Sequence, residues 1–301
     1  MLSIRTWVLF QLLFSVSVWA GIPLDIVFDI DQTIVTLIHE GVNGDLLADP
    51  RNPQQNTVTV SFNRPELDGN NKPVVDSKGQ KVFHKATERY RYYEGLTDLM
   101  KELKRLQDSG MIRVSFFSGG TAERNSALLD SIKLKDGTSL KSLAGTRIYG
   151  RDRMLVTGLG PEHRVRERFK KDLQIINPNL EDVILVDDIK EFVPSSQKEH
   201  LLWIGEDFPY PERARDSPVT FNEDLLFREK NKYQWISSKL REAIARRLKE
   251  KTPLSKIISE MTLGGERTPF TPGEEKLYFA TPHAHCSSQM MKHLLKDLRA
   301  P

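Results

Sequence analysis

The sequence predicts an α/β fold, a parallel sheet with helices on both faces, and three observations predict it. Short apolar, β-prone runs recur at 24–30, 111–118 and 182–186. Stretches with helical apolar spacing lie between them, the alternation that indicates a parallel sheet. Each run also ends in polar, reactive residues: Asp29 and Asp31, Ser118, and Asp187-Asp188. In parallel sheets ligands bind beyond the carboxyl ends of the strands, so three such endings point to one shared site.

In chain order, the first 20 residues carry a single charge, Arg5, followed by an apolar run from Trp7 to Trp19 and then Ala20. That is the layout of a secretory signal peptide with cleavage near Ala20. The run falls short of the roughly 20 apolar residues that span a bilayer, so no stable membrane span is expected after cleavage. The protein is expected to be secreted or periplasmic. Lone Cys286 cannot form an internal disulfide, which leaves stability to the core.

After the first strand, residues 40–90 read as a β-rich insert. Thr57 to Phe62 alternates like a strand, and Val74-Val75 and Lys81-Val82-Phe83 flank a turn at 76–79 as a hairpin. Leu96, Leu99, Met100, Leu103 and Leu106 then recur at helical spacing, and Gly110 closes that helix. Further helices are expected at 122–132 and 161–173. Residues 207–217 look like a linker. A helix over 221–250 carries Ile236, Leu240, Ile244 and Leu248 on one face and Lys239, Arg241, Arg246, Arg247 and Lys249 on the other. Its apolar face is expected to pack on the core, and a short helix is expected near 287–298. The organisation is thus a signal peptide over 1–20, a core over 21–206 and a C-terminal helical extension over 207–301.

Two carboxylates one residue apart at the end of a buried strand repel each other and invite a cation or a shared proton. With a phosphoryl group at this position, Asp29 can attack phosphorus as a covalent nucleophile. Asp31 can protonate the leaving oxygen and later activate water. Two anions must then approach each other, and Mg²⁺ held by Asp29 and the Asp187-Asp188 pair would separate them. Ser118 and the backbone amides exposed by Gly119 and Gly120 can hold phosphate oxygens. The net charge of +3 is too small to imply a nucleic-acid partner, and none is expected.

Asp29-Ile30-Asp31-Gln32-Thr33 resembles the DxDxT signature of the haloacid dehalogenase-like phosphatase superfamily. Ser118 resembles its second motif, Lys171 its third and Asp187-Asp188 its fourth. The context of Lys171 is similar to the branch of carboxy-terminal-domain (CTD) phosphatases and NLI-interacting-factor-like proteins. The resemblance covers about 24–205. It implies a Rossmann-like sheet and Mg²⁺-dependent hydrolysis of phosphate monoesters through an aspartyl-phosphate. It implies catalytic roles for Asp29 and Asp31, and phosphate contacts from Thr33, Ser118, Gly119 and Lys171. It further implies a metal set of Asp29, Asp31 through its backbone carbonyl, Asp187 and Asp188. The expected substrate is a phosphorylated small molecule or a phosphoprotein. The alternatives are a catalytically silent binding protein of the same fold and a phosphotransferase of the same superfamily.

Two other features carry less. His283, His285, Cys286 and His293 cluster near the C-terminus, but their spacing matches no strong zinc motif, and a partly buried or surface tail is the favoured reading. The arginines at 147, 151, 153, 164, 166 and 168 form a basic run, read as a solvated face that can also steer an anion.

Overall fold

In the computed structural model of the chain the described residues are 23–38, 56–66, 68, 73–205 and 223–261. The expected signal peptide, the 207–217 linker, the His/Cys cluster and the helix near 287–298 lie outside them. In chain order the strands are β1 (Leu24–Phe28), β2 (Val35–Leu37), β3 (Thr57–Pro65) and β4 (Phe83–Tyr92), and helix α1 (Leu96–Asp108) follows. Next come β5 (Ile112–Phe117), α2 (Ala122–Ser131), α3 (Leu140–Ala144), β6 (Ile148–Tyr149) and β7 (Leu155–Val156). The remainder is α4 (Val165–Arg168), β8 (Phe169–Lys170), β9 (Val183–Asp187), β10 (Leu201–Trp203), α5 (Glu223–Glu250) and α6 (Leu254–Met261).

The main sheet has the order β10-β9-β1-β5-β6, and all its pairings are parallel. β1 lies at its centre, so all five residues of Leu-Asp-Ile-Val-Phe are buried. Alternate side chains point to opposite faces. Ile26 and Phe28 join an apolar cluster with α1, α2, α5 and α6, while Val27 joins Leu185, Phe117 and Leu173 on the other side.

The second face is closed differently from expectation. The helix expected over 161–173 is broken into α4, β8 and a single 3₁₀ turn at Leu173–Ile175. Its apolar positions are too sparse for a buried stripe, and Val165 stays exposed. Asp172 caps the separate turn by accepting from the Gln174 amide. Between them the Lys171 amide donates to the Phe192 carbonyl at 2.7 Å. That extended local backbone turns the Lys171 side chain into the protein.

The insert forms an antiparallel sheet of order β2-β4-β3. β3 and β4 pair along their whole length from Thr57↔Arg91 to Pro65↔Phe83. The expected hairpin is smaller than the strand it leads into: Val75 and Lys81 form an isolated bridge, and Phe83 opens β4.

The C-terminal helices belong to the main core. Ile236, Leu240, Ile244, Leu254 and Ile257 are buried in the cluster that contains Ile26 and Phe28. The polar side of α5 is paired as well. Arg241 Nε donates to Glu102 at 2.9 Å, and Arg247 Nε donates to Asp182 at 2.8 Å. No helix among the described residues is long and apolar enough to cross a membrane.

Candidate active site

The site grows from register. Phe28 lies opposite Val186 and Phe116, so the residues that follow β1, β5 and β9 emerge at one edge of the sheet. The Asp29 amide still donates to the Val186 carbonyl at 2.9 Å, which fixes the aspartate at the strand end. The chain then turns sharply: the Ile34 and Val35 amides both donate to the Ile30 carbonyl, at 2.9 and 3.1 Å. Gln32 takes up the left-handed conformation inside this turn, φ 56°, which costs a non-glycine residue about 1–2 kcal/mol.

Two groupings of side chains result. In the first, carboxylate oxygens of Asp29, Asp187 and Asp188 lie within 4.8 Å of one another, all three side chains buried. The Lys171 ammonium, itself fully buried, donates to Asp29 Oδ1 and Asp187 Oδ2 at 2.6 Å each. Asp187 Oδ1 accepts from the Ile189 amide at 2.8 Å. Asp188 Oδ1 lies 3.5 Å from the Thr33 hydroxyl, and its Oδ2 is buried with no hydrogen-bond partner. Burial pushes the Asp29 carboxyl up to about 7, against the pull of Lys171 and helped by Asp187 and Asp31. Burial first, then Asp187 and Asp29, push the Asp188 carboxyl far above the usual range. Burial also raises Asp187, with Lys171 opposing. The same two carboxylates outweigh burial at Lys171 and raise its ammonium.

In the second grouping, Asp31 is half-buried and paired with Arg124. The guanidinium holds both carboxylate oxygens in a fork, with Nη1 to Oδ2 at 3.0 Å and Nη2 to Oδ1. The Ser118 hydroxyl donates to Oδ2 at 3.1 Å. Burial alone would raise the Asp31 carboxyl; Arg124 and Ser118 outweigh it and hold it low. Arg124 is braced by the Tyr90 hydroxyl at 3.0 Å, and that hydroxyl is bonded in turn to Glu88. The loop after β5 needs Gly120: a Cβ there would lie 2.5 Å from Asn125 Oδ1 and 3.0 Å from Arg124 Nη1. Gly119 meets no such limit, and its carbonyl accepts from Arg151 Nε at 2.7 Å.

A divalent cation fits the first grouping. Three hard oxygen donors converge, one carboxylate oxygen is buried without a partner, and two of the carboxyls are pushed strongly upward, by burial first and then by their neighbouring carboxylates. These are the properties of a site that lacks a positive charge. Asp29, Asp187 and Asp188 would hold the ion. The Asp31 carboxylate belongs instead to Arg124 and Ser118.

Among the residues expected from the sequence, Asp29, Thr33, Lys171, Asp187 and Asp188 meet in one place, and Asp31 and Ser118 meet beside them. Arg124, Tyr90, Lys232 and Tyr233 also reach the site and were not expected from sequence. Lys232 and Tyr233 bond to the carbonyls of Gln32 and Thr33, the latter at 2.9 Å. Trp203 Nε1 donates to the Asp188 carbonyl at 2.8 Å.

No protein-family model and no curated protein matches the chain. It aligns with solved structures of the RNA polymerase II CTD phosphatase Fcp1. One is fission yeast Fcp1 as an arginine-to-alanine variant bound to beryllium fluoride, with 14% identity, TM-score 0.40, and 87% of this chain and 66% of that chain covered. The other is Fcp1 described as an essential RNA polymerase II CTD phosphatase, with 16% identity, TM-score 0.40, and 98% and 65% covered. The chain thus spans about two thirds of the length of these structures.

Proposed function

We propose that the protein is a Mg²⁺-dependent phosphatase that hydrolyses phosphate monoesters through an aspartyl-phosphate on Asp29. One observation carries this reading: a lysine-held, buried aspartate stands at the end of the central strand, between a cation-ready acidic group and a second, separately held aspartate. Lys171 fixes Asp29 Oδ1 and so orients the carboxylate. In the first half of the reaction an Asp29 oxygen bonds to phosphorus as the ester oxygen leaves. Arg124 keeps Asp31 ionised in the free protein, so the proton for the leaving oxygen comes from the substrate monoanion, or from solvent by way of Asp31, which takes it up once the Arg124 fork opens. In the second half water attacks phosphorus, the bond to Asp29 breaks, and Asp31 takes the proton of the water. Mg²⁺ bound by Asp29, Asp187 and Asp188 would supply the charge that lets two anions meet.

The rim favours an anionic substrate. Arg151 and Arg168 place their guanidinium groups 5.8 and 5.3 Å from the ring centroid of Phe169, next to the Gly119 loop. We further propose an exported protein acting on a phosphorylated small molecule or phosphoprotein, on the strength of residues 1–20. Release of p-nitrophenol from its phosphate ester tests the reaction. Turnover that needs Mg²⁺ and stops with EDTA is expected; turnover unaffected by EDTA overturns the cation role. The N-terminal sequence of the protein recovered from its producing cell tests cleavage after Ala20.

A further inference from the structure

Helix α5 begins about 190 residues after the first loop, yet it touches that loop twice. Lys232 is fully buried, and its ammonium donates to the Gln32 carbonyl. It lies 4.2 Å from the ring centroid of Tyr93. Its charge reaches Asp188, where it opposes the upward push on that carboxyl. On the next residue, the Tyr233 hydroxyl donates to the Thr33 carbonyl at 2.9 Å. Tyr233 packs on Tyr93 with ring centroids 6.1 Å apart, and its Cβ lies 3.2 Å from the position a Cβ would take on Gly95. Tyr93 in turn accepts from the Thr36 hydroxyl at 2.8 Å.

A buried ammonium is costly unless it is well paired, and a methionine of similar length would fill the same space without that cost. The placement of Lys232 therefore asks for a reason beyond packing. Two of the groups around it supply one: the carbonyl of Gln32, the residue in the left-handed turn, to which it donates, and the Asp188 carboxylate, which its charge influences.

We propose that Lys232 is a positioning residue of the active site. It fixes the loop that carries Asp31 and Thr33, and it sets how strongly Asp29, Asp187 and Asp188 take up a divalent cation. The C-terminal helix is then a working part of the site. The cation half of this inference rests on the reading under Proposed function; the loop half does not.

Two readouts on the full chain test it. Hydrogen exchange in cation-free protein follows the amides of Gln32, Ile34 and Val35, with those of β1 as internal reference. The Mg²⁺ concentration that gives half of the maximal rise in melting temperature reports cation uptake. Lys232→Met is expected to speed exchange in the loop about tenfold relative to β1. It is also expected to lower the Mg²⁺ midpoint about tenfold, because a positive charge beside the carboxylates is gone. Lys232→Gln keeps a donor for the Gln32 carbonyl without the charge, and is expected to lower the midpoint while largely keeping loop protection. Tyr233→Phe is expected to loosen the loop without moving the midpoint. Lys249→Met, at the exposed end of the helix, is expected to change neither.

Loop exchange in Lys232→Met equal to wild type overturns the positioning role. A midpoint unchanged or raised in both Lys232 variants overturns the charge role, since a side chain that only supports the fold would weaken cation uptake. A wild-type protein whose melting temperature ignores Mg²⁺ overturns the cation reading and the charge role together, and the exchange result still decides the loop role.

Discussion

Asp29 and Asp31 stand two residues apart and live in opposite surroundings. Around Asp29 there are three buried carboxylates close to one another, one well-placed lysine and an oxygen with nothing to bond. Around Asp31 there is one carboxylate, a forked guanidinium, a hydroxyl and a tyrosine behind them. The first region is short of positive charge; the second is balanced. Burial of the same kind of group thus gives a carboxyl pushed up in one place and held down in the other. The contrast separates a corner short of positive charge, where the proposed function puts the cation and the phosphoryl group, from a corner that keeps one acid in a fixed orientation.

The sharpest way to break this comparison is Asp29→Asn. It removes the oxygen proposed to attack while keeping shape, so turnover of p-nitrophenyl phosphate is expected to fall by about 10⁴-fold or more with the fold retained by circular dichroism. Turnover near wild type would move the nucleophile elsewhere. Next comes Arg124→Met, which takes the fork away from Asp31. Turnover is expected to fall about 100-fold, with a much smaller change in KM, because an acid–base group contributes about 10²–10⁴-fold when correctly held. A pure rise in KM would make Arg124 a substrate-binding group instead.

The cation-short corner also predicts a pH dependence. A carboxyl raised in the folded state from 3.8 to about 7 binds its proton in the native protein where the unfolded chain has already lost it. Stability from this source is complete below about pH 4 and is lost as pH rises through about 7. Cation-free protein is therefore expected to melt about 5 °C lower at pH 8 than at pH 5, and saturating Mg²⁺ is expected to remove the difference. A melting temperature that rises over this interval without Mg²⁺ would contradict the charge shortage at Asp29. The smallest effect is expected from Tyr90→Phe. Losing one hydrogen bond behind Arg124 should lower turnover about 2- to 10-fold, measured under the same assay.

How much of this was legible in the sequence follows from the range of each signal. Asp29, Ser118 and Asp187 end apolar strands, and strand ends in a parallel sheet share an edge, so local pattern was enough to bring them together. Lys171 was legible only through the resemblance to the third motif of the family, although the helix expected around it does not form; the extended backbone from Phe169 to Lys171 is what aims it. Arg124 sits in the first turn of an ordinary helix, and Tyr90 looks like any β-strand aromatic. Lys232 lies 200 positions from the carbonyl it bonds. Nothing in the local periodicity of these residues distinguishes them from surface arginine, core tyrosine or helix-face lysine, because their role exists only in the packed arrangement of α2, β4 and α5 around one loop.

Ile26 and Phe28 of strand β1 share one apolar cluster with Ile236, Leu240, Ile244, Leu254 and Ile257, which follow them by more than 200 positions in the chain. During synthesis the central strand therefore waits for partners translated well after it, and its parallel pairings cannot close until those distant segments arrive. Assembly of this protein is a late, all-at-once event. A chain stopped before residue 223 would lack the C-terminal part of that apolar cluster and would be prone to aggregate.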